Sequence, residues 1–182
     1  DIVLREADRL NTIITEFLDY ARPRPSMREH LTLQALLDET IVLFKNSTKY
    51  RSGIEIRCVV APQTAVAGDP QRLRQVFWNL LINASQAIHD DGVISISVSS
   101  GKGEHAEKVI IEVADTGTGI SDEHLQKIFD PFFTTKSDGT GLGLAIVHRI
   151  IDDLGGSVDV KSEMGAGAVF TITLPHSDGQ FK

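Results

Sequence analysis

Apolar residues recur at helical spacing in four stretches of the chain and alternate with polar ones in five others. Val3, Ala7, Leu10, Ile14 and Phe17 follow at intervals of four, three, four and three, with Ile13 and Leu18 widening the stripe. That is a heptad seam, and it predicts a helix that needs a second helix to cover it. It is periodic from residue 2 without an N-cap, so it is expected to be the end of something longer. The run Arg22-Pro23-Arg24-Pro25-Ser26 stops it, since proline lacks an N–H and clashes with the preceding turn. Residues 1–26 are therefore set apart as a partial helical element with its linker, 27–175 as a second domain, and 176–182 as a disordered tail.

Within 27–175 the patterns are mixed. Leu33, Leu36, Leu37, Thr40, Ile41 and Phe44 share one helical face. Asp69-Pro70, a cap followed by proline at the first helical position, opens a helix striped by Leu73, Val76, Phe77, Leu80, Leu81, Ala84, Ala87 and Ile88. A third helix follows Gly139, Gly141 and Gly143 and ends at Gly155-Gly156. Residues 54–60 alternate as a strand, 92–99 with 108–114 as a hairpin, and 157–162 with 168–174 as another around Met164-Gly165-Ala166-Gly167. The expected fold class is α+β: a two-layer α/β sandwich with a mixed sheet of about five strands and three helices on one face.

Composition narrows the partners. A chain of 182 residues, 41% hydrophobic, can bury one good core. Net charge of −7 without a basic run argues against nucleic acid or an anionic membrane surface. No apolar run approaches the roughly 20 residues of a membrane helix, and the charged start DIVLREADRL is no signal peptide, so a cytoplasmic setting without membrane contact is expected. The lone cysteine, Cys58, excludes an internal disulfide and alternates with Ile54, Ile56 and Val60 as a small hydrophobe of a strand face.

Four islands carry candidate chemistry. Asn79 and Asn83 lie four apart at the margin of the apolar stripe of 70–88; asparagine is a poor interior helix former, and a neutral amide oxygen can complete a Mg²⁺ shell, or merely face solvent or a loop. Asp115-Thr116-Gly117-Thr118-Gly119-Ile120 ends a strand: either its carboxylate accepts from an exocyclic amine while a flat ring packs on bare glycine backbone, or it is an ordinary turn. In FDPFFTTK, Phe133 and its neighbours anchor a loop from which Lys136, after Thr134 and Thr135, reaches an anion, or else form a connector with a hydrophobic plug. Gly139, Thr140, Gly141, Leu142, Gly143 and Leu144 precede a helix N-terminus, a ready anion site, yet match neither a P-loop nor a GxGxxG fingerprint; a hinge is the other reading.

Order and spacing together are more specific. RLRQVFWNLLINA resembles the N box of sensor histidine kinases, DTGTGI the first glycine box, FDPFFTTK the F box, GTGLGL the second glycine box and GAGAVFTITLP the closing strands. FLDYARP is similar to the end of the second helix of the dimerisation and phosphoacceptor domain, and the N box with FFTTK leans towards the nitrogen-regulation-type subgroup. The resemblance implies a Bergerat ATP-binding fold in which Asp115 reads adenine beside Gly117 and Gly119. Asn83 would hold Mg²⁺ with Asn79 near the phosphates, and residues 129–144, including Lys136, would form the ATP lid. The backbone of Gly141, Leu142 and Gly143 would wrap the triphosphate. It also implies homodimerisation through the helical domain and transfer of phosphate from ATP to a histidine, then to a response regulator receiver domain.

Three departures stand out. Gln86 occupies the place of a frequent lysine and puts one phosphate contact in doubt; Ala168 replaces a frequent threonine; Thr118 replaces a common proline and should loosen its turn. None of the six histidines fits the acceptor, which is therefore expected upstream of this sequence. An ATPase of the same broad fold, or a nucleotide sensor, is the alternative. The ATPases of that fold need a carboxylate where Asn79 stands, and a carboxamide is no base for water.

Overall fold

A computed structural model describes residues 7, 10, 11, 14, 15, 17, 18, 29–62, 64–101, 108–136 and 139–177. In chain order the elements are β1 (Glu29–Thr32), α1 (Leu33–Lys45), β2 (Ile54–Val60), β3 (Ala65–Gly68), α2 (Pro70–Ala87), β4 (Gly92–Ser100), β5 (Lys108–Asp115), α3 (Asp122–Leu125), α4 (Gly143–Asp153), β6 (Ser157–Glu163) and β7 (Gly167–Pro175). The described residues before position 20 are helical, and Leu10, Ile14, Phe17 and Leu18 of the seam are all exposed. The proline run and the boundary after residue 26 lie outside the described residues.

Five strands form one mixed sheet in the order β2-β4-β5-β7-β6. The β2–β4 pair is parallel, Ile54 opposite Gly92, and the other three pairs are antiparallel. A parallel pair requires a crossover, which α2 supplies. Alternation puts Ile94, Ile96, Val98, Val109, Ile111, Val113, Phe170, Ile172 and Leu174 on one buried face. Against it lie Leu33, Leu36, Leu37, Thr40, Ile41 and Phe44 of α1, and Leu73, Val76, Phe77, Leu80, Leu81 and Ala84 of α2. The expected two-layer α+β sandwich is the observed one. Cys58 is half-buried and free, on the face of β2 that it shares with Ile54.

Helix α2 carries the site, and its start is tightly specified. Asp69 Oδ1 accepts from Gln71 N–H at 2.8 Å and from Arg72 N–H at 3.3 Å, with Pro70 at the first helical position. We expect Asp69→Ala to cost about 1 kcal/mol in urea denaturation, the usual value of such a cap.

Two features depart from the sequence pattern. A second, two-stranded sheet pairs β1 with β3 antiparallel, Glu29 opposite Gly68. Of the tail expected to be disordered from residue 176, His176 and Ser177 are ordered, and the rest lies outside the described residues. His176 bridges Val66, Ser177 N–H donates to Ala65 O at 3.0 Å, and Ser177 Oγ meets His30 Nδ1 at 3.1 Å. Ser177 is thereby buried. Among the described residues no helix is long and apolar enough to cross a membrane.

Candidate functional site

Strand β5 ends on Asp115, which is only 8% exposed. Its Oδ1 accepts from Gly117 N–H at 2.8 Å. Removal from water pushes its carboxyl above the ordinary aspartate value, while the N–H groups of Gly117 and Ala168 and the charge of Lys136 favour the ionised form. Asp115 is thus a nearly buried carboxylate held at the strand end by two backbone N–H groups, with spare lone pairs to accept a further hydrogen bond.

On α2, the carboxamides of Asn79, Asn83 and Gln86 follow at helical spacing. Asn79 Nδ2 donates to Gly143 O at 3.1 Å and so ties α2 to the start of α4. Lys136 reaches back from its loop, and its Nζ donates to Asn83 Oδ1 at 3.2 Å and to Gln86 Oε1 at 2.6 Å. Lys136 is exposed as a residue, but its ammonium is turned inward. Desolvation lowers its pKa, and the carboxylate of Asp115 opposes that shift. Segments far apart in sequence, at 79–86, 115–117 and 136–143, thus meet in one place. Gln86, where one phosphate contact was in doubt, is a partner of Lys136.

The glycines also have a steric reason within the fold. A Cβ on Gly117 would meet Ala87 O at 2.6 Å, and one on Gly119 would meet Glu163 O at 2.1 Å. Both vacated volumes are filled by protein backbone, so close packing of the turn by itself excludes a side chain at these positions. A Cβ on Gly139 would meet Thr134 Oγ1 at 2.3 Å; on Gly141, with φ of +71°, it would meet Phe132 C at 2.4 Å. Phe132 N–H donates to Gly141 O at 3.0 Å, so this segment folds onto itself. At Gly143 alone of these, a Cβ would touch nothing nearer than Asn79 Cγ at 3.8 Å. Space is thus left open beside Gly143, whereas Gly139 and Gly141 lie against the protein's own Thr134 and Phe132.

The remaining candidates divide. Leu142 is fully buried and Leu144 half-buried against the core, so their side chains are structural and only their backbone can serve a ligand. Thr140 Oγ1 accepts from Leu142 N–H at 3.4 Å. Phe133 packs on the core with its edge to His124, ring centroids 5.5 Å apart. Thr134 Oγ1 accepts from Lys136 N–H at 3.1 Å, and Thr135 is exposed. Ser137 and Asp138 lie outside the described residues.

The comparisons with known proteins agree with this geometry. Residues 68–178 match the family described as histidine kinase-, DNA gyrase B-, and HSP90-like ATPase. The chain belongs to that family. It is 42% identical over 176 residues to the sensor histidine kinase ZraS of Salmonella typhimurium (strain LT2), across 96% of this chain and 37% of that protein. It therefore spans little more than a third of this relative. A full-length structure of ShkA in complex with AMPPNP superposes with a TM-score of 0.81 at 31% identity, covering 97% of this chain and 38% of that one. The histidine kinase ThkA in complex with the response regulator protein TrrA gives 0.78 at 33% identity, covering 97% and 50%. Within the family, the chain is thus related to the ATPase-type domain of sensor histidine kinases.

Other residues that support the site were not among its candidate residues, and one of them, Ser162, lies outside every motif. Gly167 presses on the backbone of Asp115, and Ser162 Oγ accepts from Ile120 N–H at 2.8 Å and donates to Gly167 O at 2.6 Å. A glycine opening an alternating strand was the available signal. Thr118, expected to loosen its turn, donates its N–H to Ala87 O at 3.0 Å, a bond that proline could not make, and accepts from Gly165 N–H at 2.8 Å.

Proposed function

We propose that this chain is the ATP-binding, phosphoryl-donating part of a protein-histidine kinase. The observation that carries the reading is the convergence of a desolvated carboxylate, Asp115, with an ammonium, Lys136, resting on the amide oxygens of α2. Asp115 accepts from the adenine amino group and Lys136 meets the phosphates. The open surface of Gly143 at the start of α4 offers N–H groups to the triphosphate. Among the described residues no cluster of three or more His, Cys, Asp or Glu could hold a metal. Asn83 Oδ1, which already accepts from a cation, suits Mg²⁺ held mainly by phosphates and water. When bound there, Mg²⁺ neutralises charge on the transferring group.

Residues 1–26 are the end of the helical dimerisation domain and its linker, and 27 onward the nucleotide-binding domain. The acceptor imidazole comes from a helix outside this sequence. Its nitrogen forms a bond to the γ-phosphorus as the bond to the bridging oxygen breaks and ADP leaves; a response regulator aspartate then takes the group. Three of the described histidines are engaged otherwise: His30 with Ser177, His124 with Phe133 and His148 with Phe129. Hydrolysis as the main reaction is disfavoured at Asn79, whose amide is committed to Gly143 O.

Radiolabelled ATP tests the reading. This chain alone should take no acid-labile label, whereas an added helical segment bearing the acceptor histidine should become labelled, and EDTA should abolish the transfer. Label on the chain alone, or phosphate release without transfer, would overturn it, the second outcome in favour of an ATPase. Nucleotide binding with neither product would make it a sensor.

A further inference from the structure

Gln86 has the shorter of the two bonds to the Lys136 ammonium, 2.6 Å against 3.2 Å for Asn83. It lies three residues after Asn83, so both side chains project from one face of α2. Gln86 is exposed, and no core packing imposes its position. A lysine ammonium sits on a flexible four-carbon stem and is strongly hydrated; it stays in one place only where fixed acceptors hold it. Here two neutral amide oxygens hold it, with the field of Asp115 favouring the charge.

We infer that Gln86 is the positioning residue for Lys136: its amide oxygen seats the ammonium beside Asn83, where the triphosphate comes to rest. The inference deepens, and rests on, the ATP reading above. Two cations cannot share Asn83 Oδ1 at short range without repulsion, so a lysine held by Asn83 alone would be driven off when that oxygen turns to Mg²⁺. Gln86 gives it a second anchor on the same helix face. The pocket then keeps a monovalent cation from the lid alongside the metal. The benefit falls on the phosphates and not on adenine.

The test is a double-mutant cycle read by calorimetry. Gln86→Met keeps the length of the side chain and removes its oxygen at an exposed position. In the Lys136 protein it should weaken ATP binding about three- to tenfold, less than a buried hydrogen bond to a charge because Gln86 is exposed and water replaces part of it, in EDTA as well as in Mg²⁺. Adenosine affinity should not move. In a Lys136→Met background the same substitution should have no further effect. Equal losses in both backgrounds, an equal loss for adenosine, or unchanged ATP affinity would each overturn the inference while leaving the ATP reading intact. Binding of neither ATP nor adenosine by the unaltered protein would instead bring down that reading, and this inference with it.

Discussion

Asp115→Asn should lower adenosine and ATP affinity at least tenfold while leaving the melting temperature unchanged or raised. Hydrogen bonds to a charged group contribute about 1.5–3 kcal/mol, a factor of roughly 10–150 in affinity. An asparagine oxygen can still accept from Gly117 N–H, but its NH₂ can accept neither from Ala168 N–H nor from an adenine amine. Stability runs the other way. The folded carboxyl titrates above its ordinary value, with desolvation as the largest cause. The group's stabilising contribution is therefore complete below the ordinary aspartate pKa and is lost as pH rises through the raised folded value. Near neutrality the carboxylate opposes folding, and a neutral amide removes that opposition. In the unaltered protein, adenosine affinity should rise with pH through the same interval, and the asparagine variant should show no such step. Adenosine is the suitable probe because it carries no phosphate to titrate. Unaltered affinity in the variant would remove Asp115 from the site; a melting temperature lower by more than about 3 °C would mean the carboxylate supports the fold.

Periodicity made the main layers legible because their signals are local. The six predicted positions of α1 and the capped start of α2 are set by spacing and by one aspartate, and they fold as their pattern directs. The small sheet is different. EHLT and AVAG are each four residues long, and they pair across more than thirty intervening residues. Nothing in either stretch alternates long enough to register as a strand; the pairing is fixed by where α1 and α2 pack. His176 and Ser177 are ordered by the same distant edge, through Val66 and Ala65, which a polar terminal sequence does not reveal.

At the site, residue types were more legible than reasons. Asp115, Asn83 and Lys136 were candidates from chemistry and from resemblance, and the fold brings them together. Gln86 looked like a missing cation because a sequence shows that lysine is absent at 86, not that the lysine at 136 reaches the same helix face. Likewise a glycine records only that a side chain is missing. At Gly117 and Gly119 the vacated volume holds the carbonyls of Ala87 and Glu163, and at Gly141 the backbone of Phe132. Steric exclusion by distant backbone has no local signature. The glycines nevertheless stand at the site because the loops that build it cross one another there at backbone distance.

Gly167→Ala should show how strongly that crossing supports Asp115. Gly167 begins β7 with φ of +86°, and a Cβ would lie 1.9 Å from Asp115 O. No side chain can rotate away, because both partners are backbone, so one strand end must move. Movement of Gly167 breaks its carbonyl's bond from Ser162 Oγ, and movement of Asp115 withdraws the carboxylate from the pocket. Gly165, two residues earlier, has φ of +81° but nothing within 4 Å of an added Cβ. It isolates left-handed strain from collision. Gly165→Ala should cost about 1 kcal/mol and leave adenosine affinity unchanged. Gly167→Ala should cost about 2–4 kcal/mol and weaken adenosine at least tenfold, even where urea denaturation shows the protein fully folded. The decisive quantity is the difference between the two glycines. Equal losses at both would mean that backbone strain accounts for the whole effect and that Asp115 is held in place by something other than the first residue of β7.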